Sequence, residues 1–259
     1  MDNLLEFLSK RMSRHVVVSG DHSDLLIWGV RERNGVNLLG FSLNQLDTSQ
    51  QSKRAEHLRK VGTQLSEKTG LTYIEIYYPA DLIQNPLAKI RIDNISYPEG
   101  EAGKQLQNVW GTSQQQIGTQ KEVNKHTADA FHAWARVNLP TSYVRMDIDA
   151  IITETSDASE LVSLIEIKRS TAISVANWSP YTADIRNYFL EYRLADLADL
   201  SFYTLNHGCK DAPVKEDTLI GLHKISDVDL RNNRIISEKN IMNANQLANM
   251  LDSDYEVIP

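Results

Sequence analysis

Two stretches separated by a polar turn constrain this chain more than any other part of it. Residues 143–152 (YVRMDIDAII) and 161–170 (LVSLIEIKRS) flank the turn TETSDASE, and both place charge at alternate positions within otherwise apolar runs. Side chains alternate across a strand, so Arg145, Asp147 and Asp149 share one face of the first segment while Ile148, Ala150 and Ile152 share the other. In the second, Glu166 and Lys168 point together, opposite Ile165 and Ile167. Pairing the two strands brings carboxylates and an ammonium to one edge above an apolar layer.

Carboxylates crowded on apolar strands raise one another's pKa, and burial adds to the penalty, so such a group calls for a neutralising partner. A divalent cation meets that need. Asp149 and Glu166 supply hard oxygen ligands suited to Mg²⁺ or Mn²⁺, the backbone carbonyl of Ile167 offers another, and water completes an octahedron. An ion held there polarises a phosphate and activates a bound water, and Lys168 stands beside it to orient that water or to stabilise charge developing on phosphate. Between Asp147 and Asp149 as the main ligand the strand pattern leaves the choice open, with Asp149, before Ala-Ile-Ile, preferred; Asp147 is then a secondary ligand or a partner of Arg145, and Glu122 is a further acidic candidate.

DIDAII followed across a hairpin by LIEIKRS resembles the PD-(D/E)xK nucleases, the superfamily of many restriction endonucleases, junction resolvases and repair nucleases. The resemblance covers about residues 120–225. It implies an α/β fold with a restriction-endonuclease-like αβββαβ core, Asp149 and Glu166 as metal ligands, Lys168 as the catalytic lysine, and DNA rather than RNA as substrate in a restriction, phage-linked or repair role. No proline precedes Asp149. The segment NLPTS before Tyr143 is too short for the first core strand, which therefore runs through 143–146 or lies elsewhere. The alternative is a non-catalytic nucleic-acid-binding or assembly protein that keeps the nuclease fold.

Along the chain, periodicity predicts helices over 3–12, 49–68, 121–137, 181–199 and 243–252. It predicts strands over 15–18, 24–31, 36–43, 71–78, 143–153, 161–168, 201–205 and 218–224. The Gly-, Gln- and Ser-rich stretch within 96–120 reads as a connection between an N-terminal α/β region (1–95), for recognition or assembly, and a nuclease domain (121–259).

At 259 residues and 41% hydrophobic composition the chain can bury a full core. Its apolar runs fall short of the roughly 18–20 residues of a membrane span, and its start is too charged for a signal peptide, so a cytoplasmic protein is expected. Cys209 is the single cysteine, which excludes an internal disulfide. A net charge of -7 argues against non-specific coating of nucleic acid, but the first 60 residues carry nine basic against seven acidic side chains. Phosphate contacts are accordingly expected from Lys53, Arg54, Arg59 and Lys60, and near the site from Arg169 and Ser170. A homodimer or a larger complex is compatible with this composition.

Two rival groupings have simpler readings. Asp21, His22 and Asp24 could make a phosphoesterase-like metal site but read better as a Gly-Asp-His-Ser-Asp turn, and His126, Asp129 and His132 could bind zinc but read better as a solvated helix face. Trp178 and Tyr181 read as loop packing, and Phe189, Leu190, Leu194 and Leu197 as helix core.

Overall fold

The computed structural model describes residues 2–20, 22–33, 35–47, 53–85, 87–112, 130–158, 160–170, 173–208 and 213–253. Among these the chain is an α/β protein with two mixed six-stranded sheets and six α-helices. Its contacts divide into two compact units: Asp21–Asp147, and a second built from both ends, Met1–Gly20 with Ile148–Pro259. No helix among the described residues is long and apolar enough to cross a membrane.

The chain opens with α1 (Asn3–Arg11) and β1 (His15–Val18). Asp2 caps α1, accepting from the Leu4 N–H at 2.8 Å. The same carboxylate lies 3.1 Å from Nε2 of the fully buried His207. Burial opposes ionisation of Asp2, but His207, the Leu4 N–H and Arg169 together hold its carboxyl below the ordinary value. At Gly20, with φ at +119°, a conformation open mainly to glycine, the chain leaves this unit.

The inserted unit contains β2 (Ser23–Glu32), β3 (Gly35–Leu46), α2 (Lys53–Thr69), β4 (Thr72–Tyr78), β5 (Lys89–Ile92), β6 (Ile95–Pro98), α3 (Glu99–Val109), α4 (Ala130–Asn138) and β7 (Tyr143–Asp147). Its sheet runs β6-β5-β4-β3-β2-β7, with β3 and β4 parallel across the α2 crossover. One face closes over an aromatic core of Trp28, Tyr78, Trp110, Phe131, Trp134 and Tyr143. Buried Trp28 has its indole N–H satisfied by Ser42 Oγ at 2.7 Å.

The rest of the first unit follows as β8 (Ala150–Thr153), β9 (Leu161–Arg169), α5 (Ile185–Ala198), β10 (Ser201–His207), β11 (Leu219–Asp229), β12 (Arg234–Asn243) and α6 (Ala244–Asp252). The sheet order is β1-β8-β9-β10-β11-β12, antiparallel throughout except for β9 beside β10. One face buries Val16, Val18, Ala150, Ile152, Ile165 and Leu205 beneath α1 and α6. Fully burying leucines such as Leu4 and Leu8 of α1 and Leu247 of α6 contributes about 1.5–3 kcal/mol each, which fixes both helices to this sheet. The opposite face receives α5.

Several elements differ from expectation. The stretch read as a connection holds α3, whose buried stripe is Ala102, Gly103, Leu106 and Gln107, too small and polar to give a hydropathy signal. Contacts divide the chain at 20/21 and 147/148 rather than within 96–120, so residues 1–20 pack with the C-terminal half. The single strand expected over 143–153 is two, because residues before Ile148 ladder onto β2 and those after Asp149 ladder onto β1 and β9. Strand β12 was not foreseen; its mostly half-exposed pattern lacks the apolar alternation that marks a strand. Asn243 caps α6 as expected, in a capping box with Gln246. Leu197, expected in the core of α5, is 41% exposed.

Candidate active site

Strand β8 begins at Ala150, paired with Ile165, so Asp149 stands just outside the ladder, beside Glu166. Instead of its backbone, its side chain meets β9: Oδ2 accepts from the Ile167 N–H at 2.7 Å. Ile167 thus joins the group through its amide proton. Glu166 and Lys168 lie on the α5 face of β9, with Lys168 Nζ 2.5 Å from Glu166 Oε1. Lys168 also lies over the Tyr188 ring, 5.6 Å from its centroid. Glu166 is buried, whereas the Lys168 side chain keeps 23% of its surface and Asp149 stays partly exposed, so the group opens to solvent on that side.

Burial, then the charge and hydrogen bond of Glu166, push the Asp149 carboxyl well above the ordinary carboxylate range. For Lys168, burial works against the ammonium, but Glu166, with Glu191 and Asp149 behind it, outweighs burial and raises its affinity for a proton. Tyr188 is pushed up by burial, then by the charges of Glu166, Glu191 and Asp184.

Glu191 on α5 is a member of this group that sequence reasoning missed. It is 2% exposed, and burial, then the charge of Glu166, raises its carboxyl well above the usual range. A signal for it existed. Ile185, Tyr188, Ala195 and Ala198 form one buried helical stripe, and Glu191 falls inside it at helical spacing, where a carboxylate has no packing role.

The remaining candidates are dispersed. Asp147 ends β7 in the inserted unit and lies 3.5 Å from His132 Nε2. Glu122, like Asp21, His126 and Asp129, lies outside the described residues. Arg169 is 3.5 Å from Asp2, and Ser170 Oγ accepts from the Ile173 N–H. On α2, Arg59 is held by Glu75 at 2.8 Å and by the Tyr77 hydroxyl, and Lys60 lies 3.7 Å from Glu56; Lys53 is exposed and Arg54 partly buried. Trp178 packs edge-on to His223.

The donor set suits a hard divalent cation, since Asp149 and Glu166 offer carboxylate oxygens and buried Glu191 Oε2 has no hydrogen-bond partner. Among the described residues no three His, Cys, Asp or Glu side chains form a ready metal cage; instead Asp149 accepts from the Ile167 N–H and Glu166 pairs with Lys168.

A pH dependence follows. Asp149 and Glu191 have raised folded-state pKa values, so the native state binds more protons than the unfolded one. Their stabilising contribution is complete below the ordinary carboxylate range of about 4 and is lost as pH rises through the raised values. In EDTA, Glu191→Gln should therefore gain stability relative to wild type with rising pH, by up to about 1.4 kcal/mol per pH unit for each proton concerned. Urea midpoints compared between pH 5 and 8 check this; a difference independent of pH contradicts it.

No protein-family model, curated protein or solved structure matches this chain.

Proposed function

We propose that the protein is a metal-dependent nuclease of the PD-(D/E)xK type, hydrolysing phosphodiester bonds in DNA. The observation that carries this reading is the convergence of Asp149, Glu166 and Lys168 on one sheet face, with Asp149 Oδ2 on the Ile167 N–H and Lys168 on Glu166. Element order supports it. Taken in sequence, α1, β1, β8, β9, α5 and β10 follow the αβββαβ order of the superfamily core, with Asp21–Asp147 inserted between the first two core strands. On this reading the first core strand is β1, more than 120 residues before β8, which explains why nothing near Asn138 supplied it.

Asp149 and Glu166 would hold Mg²⁺ or Mn²⁺, and the ion, when bound, supplies Lewis-acid activation of water and phosphate. Burial of Glu166 strengthens its interaction with any cation that reaches it. Lys168, kept charged by its carboxylate neighbours, presents an ammonium toward the exposed side, where a scissile phosphate would lie. The choice of DNA rests on the family resemblance.

Incubating supercoiled and linear DNA with the protein in Mg²⁺, Mn²⁺ or EDTA tests the reading, with cleavage expected in the metals alone. In the same plasmid assay Asp149→Asn should abolish turnover. Asp147→Asn, whose carboxylate faces His132, should leave the rate within about tenfold of wild type, a decade corresponding to about 1.4 kcal/mol. The reverse ranking would assign the ligand role to Asp147.

A further inference from the structure

We propose that Glu191 is a third oxygen ligand of the cation held by Asp149 and Glu166, completing from α5 a site that the two strands supply only in part. The inference rests on the nuclease reading for the presence of the cation, and its test separates the two.

Glu191 is 2% exposed, and its Oε2 has no hydrogen-bond partner. A carboxylate costs several kcal/mol to bury without compensation, so a purely packing position on α5 would be better filled by leucine or glutamine. Among the described residues Glu191 forms no salt bridge, and the nearby ammonium of Lys168 is already against Glu166. One lysine, already against Glu166, faces three carboxyl side chains, and a divalent cation would supply further positive charge there. Placement agrees. Asp149 stands opposite Glu166 just before β8, Lys168 lies against Glu166 and over the Tyr188 ring, and Glu191 follows Tyr188 by one turn on the buried face of α5.

The neighbouring strand adds a second sign of an unfinished polar site. In parallel register Thr204 stands beside Glu166 and Asn206 beside Lys168, on the same sheet face. Both are fully buried, and Thr204 Oγ1 and Asn206 Oδ1 lack partners, although the Asn206 amide donates to the Lys168 carbonyl at 3.1 Å. Buried polar atoms are ordinarily satisfied, and here three unpartnered oxygens belong to residues around one acidic pair. Thr204 and Asn206 are neutral and suited to bonding waters of a hydrated ion; Glu191 alone of the three supplies charge.

The test titrates the full-length protein with Mn²⁺ by calorimetry and follows water-proton relaxation, which reports how many exchangeable waters the bound ion keeps. Glu191→Gln should weaken Mn²⁺ binding by about ten- to a hundredfold and add about one water to the ion. Glu191→Asp, keeping the charge on a shorter stem, should fall between Glu191→Gln and wild type. Wild-type affinity and hydration in a folded Glu191→Gln would overturn the ligand role while leaving the nuclease reading in place. Should Glu191→Gln not fold, unchanged Mn²⁺ affinity and hydration in folded Glu191→Asp would overturn it equally. Wild-type protein that binds no Mn²⁺ at millimolar concentration would remove both.

Discussion

Glu166→Ala should lower DNA cleavage in saturating Mg²⁺ by at least about a thousandfold, roughly 4 kcal/mol of transition-state stabilisation. The size follows from position. Glu166 is buried against Lys168 and beside Asp149, so its loss would remove a proposed cation ligand and the anchor of the ammonium together. Folding should survive, because the substitution also relieves repulsion among buried carboxylates, and Lys168 retains Asp149 and Glu191 as charge partners. Circular dichroism and a urea midpoint establish folding; single-turnover cleavage of a labelled duplex measures the loss. Near-normal cleavage by folded Glu166→Ala, or cleavage by wild type undiminished in EDTA, would be incompatible with the proposed site.

Lys168→Met should cost about a hundredfold or more in single-turnover rate while leaving ground-state DNA affinity close to wild type. Because its neighbours raise its affinity for a proton, Lys168 is a cation at neutral pH, which suits stabilising charge on phosphate or orienting water better than accepting a proton. Methionine keeps most of the apolar stem and removes the ammonium that lies over the Tyr188 ring. A lysine that merely held backbone phosphate would behave differently: the mutant would bind more weakly, with a shallower salt dependence, and cleave at the wild-type rate once saturated. Affinity measured in Ca²⁺ and cleavage measured in Mg²⁺ on the same variant separate the two roles. Full rate at saturation would withdraw Lys168 from the chemistry and leave Asp149 and Glu166.

The choice between Asp147 and Asp149 shows how local the sequence information was. Alternation places both carboxylates on one face of a continuous strand, and nothing within residues 143–153 says that the strand breaks. The break is caused by partners distant in the chain: β2 claims Tyr143–Asp147, while β1 and β9 claim Ala150–Thr153. Asp149 falls at the end of a ladder, where its side chain is free to take the Ile167 N–H. The basic helix α2 teaches a similar lesson, since residues that look like a phosphate-binding row include Arg59, which Glu75 and Tyr77 already engage.

By itself the sequence determined what short-range chemistry can specify. Alternating apolar positions fixed β9 and placed Glu166 beside Lys168, the Val-rich run fixed β1, helical spacing fixed α2 and most of α5, and Asn243 fixed the start of α6. Tertiary structure alone decided which strands became neighbours: β1 pairs with β8 across an inserted unit, and the long strand divides between two sheets. It also decided that Glu191 joins the acidic group. Strand pairing and the facing of a helix depend on which distant surfaces complete a core, and a chain's local periodicity carries no record of the partner that will cover it.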